Sequence, residues 1–106
     1  MRVLFDQGTP LPLRRYLLNH QVATAHELGW GTLENGELLT KAEEAGYELL
    51  VTTDRNLKHQ QNLGQRTIAV LVITTTSWPR MQKAVDSISR AVDDTVAGGY
   101  VEIAAP

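Results

Sequence analysis

Cysteine is absent from the 106-residue chain. That excludes a disulfide scaffold and any thiolate metal site, and is compatible with a reducing cytosol. Aromatic residues are scarce at 6%, and charged residues, at 21%, are too few and too mixed in sign for a disordered chain. Neither sign of charge dominates: 10 Lys and Arg stand against 12 Asp and Glu, a net charge of −2. A broad polycationic face for nucleic acid is thereby excluded, so any contact with RNA or DNA has to be local or assisted by a metal ion. Long apolar runs are missing as well. The longest, residues 68–73, has strand length, whereas a bilayer span needs about 20 residues. Met1-Arg2-Val3-Leu4-Phe5-Asp6 reaches an acid after three apolar residues, too short for the core of a secretory signal. A cytoplasmic chain without a membrane segment is the expectation. What is present, 42% apolar residues, suffices for one core: a single domain over residues 1–106, burying roughly 65% of its unfolded surface.

The apolar pattern predicts alternating strands and helices. Arg2–Phe5 reads as a buried strand followed by an Asp6-Gln7-Gly8 turn. Pro10 and Pro12 suit the start of a helix in which Leu13, Tyr16 and Leu17 share a face. Residues 21–25 read as a short second strand, with 26–31 an irregular loop. Asn35 stands where a cap would open a helix; Leu38, Leu39, Ala42 and Ala45 form its stripe and Gly46 its stop. Residues 49–53 form a strand closing on Asp54, and a short helix is expected between Arg55 and Gly64. Residues 67–74 are the most strand-like segment. One long amphipathic helix is expected from Pro79 to Val96, stopped by Gly98-Gly99, before a last strand over 100–104. Continuous apolar strands alternating with helices predict a three-layer α/β/α sandwich around a mainly parallel sheet.

In open parallel sheets, ligands gather outside the carboxyl ends of the strands. Asp6 and Asp54 each follow a strand at that edge, and Glu37 lies in the first turn of the helix between them. Converging carboxylates repel unless a cation sits among them. Oxygen donors without His or Cys suit Mg²⁺ or Mn²⁺, which orients a phosphodiester and activates water for in-line attack. Asn35, Thr52 and Asn56 are candidate auxiliary groups, and Arg14, Arg15, Arg55 and Lys58 candidate phosphate contacts. Each also has a plainer reading. A strand-end acid serves as a turn former, Glu37 as a first-turn acid favoured by the helix dipole, and Asn35 and Asn56 as caps. His20, His26 and His59 show no ligand spacing. The amides of Gln60, Gln61 and Asn62 suit loop bonds or a base or phosphate contact, and Trp30 and Trp78 suit packing or stacking.

The segments Arg2-Val3-Leu4-Phe5-Asp6, Asn35-Gly36-Glu37-Leu38-Leu39 and Leu50-Val51-Thr52-Thr53-Asp54-Arg55-Asn56-Leu57 resemble the PIN-like domain family of small bacterial proteins. That family is distantly related to the PIN ribonucleases, which include VapC-type toxins. Gln60-Gln61-Asn62-Leu63 and Ser77-Trp78-Pro79 resemble one branch of it. The resemblance extends over nearly the whole chain. It implies an Mg²⁺- or Mn²⁺-dependent endoribonuclease in which Asp6, Glu37 and Asp54 bind the metal and carry catalysis. It also implies RNA as substrate, a small DNA-binding antitoxin as partner, and a homodimer as one assembly. Two departures stand out. Asn35 replaces an acid often found there, and Asn56 replaces the acid common two residues after the Asp54 position. An amide offers an oxygen but no charge. The alternative implied is a catalytically degenerate PIN-like module that binds RNA or a protein; a receiver-like phosphoacceptor, phosphorylated on Asp54, is a third reading.

Overall fold

A computed structural model of the chain describes residues 1–60 and 62–105, without the side chains of His59 and Gln60. The amide and imidazole readings of Gln61, Gln60 and His59 therefore lie outside the described residues. Five strands, β1 (Arg2–Phe5), β2 (Gln21–Thr24), β3 (Leu49–Thr52), β4 (Ala69–Ile73) and β5 (Tyr100–Ile103), form one sheet in the order β2-β1-β3-β4-β5. Every pairing is parallel. The α/β class expected from the sequence is the one observed.

The central strands are apolar on both faces because both are covered. One face, with Val3, Phe5, Leu49, Val51, Leu71 and Ile73, lies under a 3-10 helix (Leu11–Tyr16) and helices α3 (Trp78–Gln82) and α4 (Val85–Asp93). The other, with Leu4, Leu50, Val70 and Val72, lies under α1 (Asn35–Glu44) and α2 (Leu57–Gln60). A second 3-10 turn, Leu63–Gln65, leads to β4.

Three local expectations are corrected. The segment after Pro10 is a six-residue 3-10 helix, opened by Pro12 and burying only Leu13 among its own residues. The expected long helix is two: α3, capped by the Ser77 side chain, and α4, with the break at Lys83–Ala84. Both pieces turn apolar residues onto the same sheet face, Met81 from the first and Ile88 and Val92 from the second. Asn35 is not the cap of α1; Glu34 holds that position without a side-chain cap bond, and Asn35 is the first helical residue. The other end is as expected. Gly46, at φ +85°, reverses the chain, with its N–H on the Glu43 carbonyl (3.1 Å) and the Tyr47 N–H on the Ala42 carbonyl (2.9 Å), a Schellman closure.

Glu43 ties this helix end to β4. Its Oε2 accepts from the Thr67 N–H (2.8 Å) and the Thr67 hydroxyl (2.9 Å), and its Oε1 from Arg66 (2.7 Å). Partial burial opposes ionisation, but these donors prevail and hold the carboxyl below its ordinary range. Its stabilising effect is therefore present above the unfolded carboxylate value and lost as pH falls through the lowered one. Glu43→Ala is expected to cost about 1–3 kcal/mol in urea unfolding at neutral pH, with the gap narrowing on acidification.

Candidate functional site

The strand order reverses at one point: β2 lies on one side of β1 and β3 on the other. The crevice beyond β1 and β3 is therefore the switch point where ligands bind in such sheets. Both strand-end acids sit there. Phe5 is in register with Val51, so Asp6 emerges beside Thr52, and its N–H donates to the Val51 carbonyl at 3.1 Å.

Thr52 is fully buried at the end of a central strand and joins the two acids. Its hydroxyl donates to Asp6 Oδ2 and accepts the Asp54 N–H at 3.0 Å. Asp6 Oδ1 accepts from the Gly8 N–H (3.2 Å) and faces Thr9 Oγ1 (2.8 Å). Asp54 Oδ1 accepts the Asn56 N–H (2.9 Å), closing an Asx turn, and Oδ2 accepts from Asn35 Nδ2 (2.8 Å). The Asp54 carboxylate thus fixes the chain entering α2, and the Asn35 amide reaches it from the first turn of α1.

Burial raises the Asp6 carboxyl above its ordinary value of 3.8; the bonds from Thr52, Thr9 and Gly8 oppose this, and the Asp54 charge adds to it. Thr9 contributes a further feature. Its Oγ1 lies 2.9 Å from the Val51 carbonyl as well as beside Asp6, and one hydroxyl proton cannot serve two acceptors. A protonated Asp6 relieves this by donating to Thr9, which then donates to Val51. The native state consequently holds this proton more tightly than the unfolded chain. Stability from this group is full below 3.8 and declines as pH rises through the elevated value. Asp6→Asn is expected to raise the melting temperature at neutral pH in EDTA and to flatten that decline.

Glu37 is placed differently. It is exposed and lines a groove with Gly36, Thr40, Lys41, Glu44 and Arg66. Asn35 and Glu37 are two helical positions apart, about 200° around the axis, and it is Asn35 that faces Asp54. Among the described residues no group of three or more His, Asp or Glu side chains converges on a point that could hold a metal ion. The acids that share surroundings are Asp6 and Asp54.

The cations divide as well. Arg14 is paired with Glu27, whose carboxyl it holds below the ordinary range; it braces the turn after β2. Lys58 Nζ lies 3.3 Å from Glu102 and 5.6 Å from the centre of the Tyr100 ring. Burial and the bond to Glu102 push the Tyr100 phenol up to about 12, so it stays neutral. Arg55 and Asn56 line a polar groove of about 430 Å³ with Lys58 and Glu102, directly after Asp54. Arg15 is exposed on the first 3-10 helix. His20 bonds the Met1 amine (3.2 Å) and Asp93 (2.7 Å), away from the acids at the amino edge of the sheet.

Thr9 escaped the sequence reading. The signal was there, a threonine three residues after a strand-end acid, but its partner Val51 comes from a distant strand. Thr52→Val, which keeps shape and removes the hydroxyl, is expected to cost about 1–3 kcal/mol by orphaning the Asp54 N–H. No protein-family model, curated protein or solved structure matches the chain. No helix among the described residues is long and apolar enough to cross a membrane.

Proposed function

We propose that the chain is a metal-dependent endoribonuclease of the PIN-like type. The observation that carries the reading is the pairing of Asp6 and Asp54 through Thr52 at the switch point of the sheet. The donors suit the ion. Mg²⁺ and Mn²⁺ take hard oxygens, keep several waters and need only one or two carboxylates. Asp6 Oδ2 and both oxygens of Asp54 each accept one of the bonds described and keep a second lone pair, whereas Asp6 Oδ1 accepts from both Gly8 and Thr9. Asp6 and Asp54 would hold the ion, which supplies Lewis-acid polarisation of a phosphodiester.

The other residues position and attract. Thr52 fixes the spacing of the two acids, and the Asn35 amide fixes the rotation of the Asp54 carboxylate. Arg55 and Lys58, on the adjoining groove, draw the flanking phosphate into place. Arg15 adds charge beyond it, whereas Arg14 is engaged with Glu27. A cytoplasmic toxin acting with a small DNA-binding antitoxin follows from the sequence resemblance and extends this reading to a partner.

One observation favours the degenerate alternative: the Asn35 amide already occupies Asp54 Oδ2, where a further acid would bring charge. In that reading the crevice binds RNA without turnover. The phosphoacceptor reading has less support. Its strand order is shared, but it also calls for a lysine beside the acids, and the bonds described at Asp6 and Asp54 come from hydroxyl, amide and backbone N–H groups.

The test is incubation of structured and single-stranded RNA with the protein in Mg²⁺, Mn²⁺ or EDTA. Cleavage that needs the metal and Asp6 is expected. Equal cleavage by wild type and Asp6→Asn overturns the assignment of the site.

A further inference from the structure

The two edges of the sheet are not alike. Along β2, the Gln21 N–H bonds the Met1 carbonyl (2.9 Å) and the Ala25 N–H the Phe5 carbonyl (2.8 Å), so by alternation Val22 and Thr24 turn their backbone groups outward. Thr24 is already occupied. Its N–H donates to Glu27 Oε1 (3.0 Å) and its carbonyl accepts the Leu28 N–H (3.2 Å), so the turn after β2 closes that edge. At the other edge, the Gly99 and Ile103 carbonyls of the β5 segment accept from the N–H groups of Val70 (2.9 Å) and Thr74 (3.0 Å). Tyr100 and Glu102 therefore point their N–H and C=O groups away from β4. Among the described residues, none of the bonds found reaches these four groups.

An open edge is a template for another strand, and folded proteins blunt it with proline, a bulge, an inward charge or a covering segment. Strand β5, Tyr100-Val101-Glu102-Ile103, has no proline and pairs with β4 without a bulge. Its one charge, Glu102, is held on the α2 face by Lys58 (3.3 Å) and the Tyr100 hydroxyl (2.9 Å). On the opposite face Val101 is 43% exposed. It stands beside an apolar groove of about 270 Å³ lined by Leu49, Ala69, Leu71, Ala91 and Val96.

We propose that a second copy of the chain pairs with β5 about a two-fold axis, continuing the sheet to ten strands, five from each copy. Val101 lies midway between the two outward-facing residues. An antiparallel copy centred there exchanges both backbone bonds between Tyr100 and the partner's Glu102, and again between Glu102 and the partner's Tyr100. Val101 then meets the partner's Val101 as a non-hydrogen-bonded pair, the closer of the two antiparallel spacings, beside the apolar groove. On the other face the partner's Glu102 arrives opposite Tyr100, whose ring centre is 5.6 Å from Lys58 Nζ. The acid of each copy thereby comes within reach of the cation of the other. An unrelated strand finds the four backbone groups but not this matched pairing, and with β2 closed the contact ends at two copies instead of running on head to tail. The axis sends the carboxyl ends of the two halves in opposite directions, so both Asp6–Asp54 crevices stay open and the pairing is independent of the nuclease reading.

Four paired residues in each copy make a small interface, so association in the micromolar range is expected; sedimentation equilibrium of the wild-type chain from low to high micromolar concentration reads it. Val101→Lys sets two like charges on the axis and is expected to weaken the dimer at least about a hundredfold. Glu102→Pro removes an outward N–H and no bond to β4, which an edge strand tolerates, and is expected to leave a folded monomer. Circular dichroism checks the fold of both. The chain has no cysteine of its own, so Val101→Cys tests the axis directly. The expected Cα separation of about 4.5 Å lies within the range a disulfide spans, and mild oxidation is expected to link two copies there. Val96→Cys, 68% exposed but off the axis, is expected to stay unlinked. A dimer that survives either Val101→Lys or Glu102→Pro, or cross-linking of Val96→Cys as efficient as that of Val101→Cys, overturns the proposal. So does a wild type that is monomeric throughout, which would leave the edge to a strand of a different protein.

Discussion

Asp54→Asn is expected to reduce metal-dependent RNA cleavage at least about a hundredfold, the usual loss when one charge-stabilising group leaves a preorganised site. The fold should survive. The Asn side chain keeps an oxygen for the Asn56 N–H, and the backbone N–H of residue 54 keeps its bond to Thr52. Circular dichroism and the melting temperature check the fold, and initial cleavage rates in Mn²⁺ check the activity. Glu37→Gln provides the contrast. Its carboxylate lies in the groove with Lys41, Glu44 and Arg66, so its loss is expected to change the rate only slightly. Equal losses from the two variants would return Glu37 to the metal and contradict the two-carboxylate site.

The second large effect concerns the frame on which the acids stand. Phe5 immediately precedes Asp6, is fully buried, and belongs to the cluster with Val51, Leu71 and Met81. Phe5→Ala is expected to cost about 3–5 kcal/mol, combining lost transfer energy with a cavity between sheet and helices. Against total stabilities of about 5–15 kcal/mol for such domains, that brings the protein close to unfolding. Urea denaturation at neutral pH measures it. A loss below about 1 kcal/mol would mean that the site can collapse around the deletion, and the rigid placement claimed for Asp6 would fail with it.

The strands were legible because burial on both faces makes their apolar runs continuous. Residues Arg2–Phe5 and the core of β4 could be placed from composition alone. Asp6 and Asp54 were legible for a topological reason: a parallel sheet sends every strand end to the same edge, so acids after two strands must share it. Less of the site's wiring was visible. Asn35 sits where caps sit, and only its contact with Asp54 across nineteen positions of sequence shows that it reaches another element. The break at Lys83–Ala84 has no proline or glycine to announce it; the periodicity of Met81, Ala84, Ile88 and Val92 runs through it undisturbed. The contact between the Tyr16 and Trp78 rings was hidden for the same reason as the Thr9–Val51 bond: both join segments that meet only through the tertiary fold. Local chemistry names the residues, and long-range register decides which of them meet.

A nuclease of this kind requires Asp6 and Asp54 to act together on one divalent cation, and calorimetric titration with Mn²⁺ at neutral pH addresses that directly. Wild type is expected to bind one ion. Asp6→Asn and Asp54→Asn should each weaken it strongly, with the double variant little worse than either single one. Absence of binding by wild type at millimolar Mn²⁺, or full retention in both single variants, would contradict it.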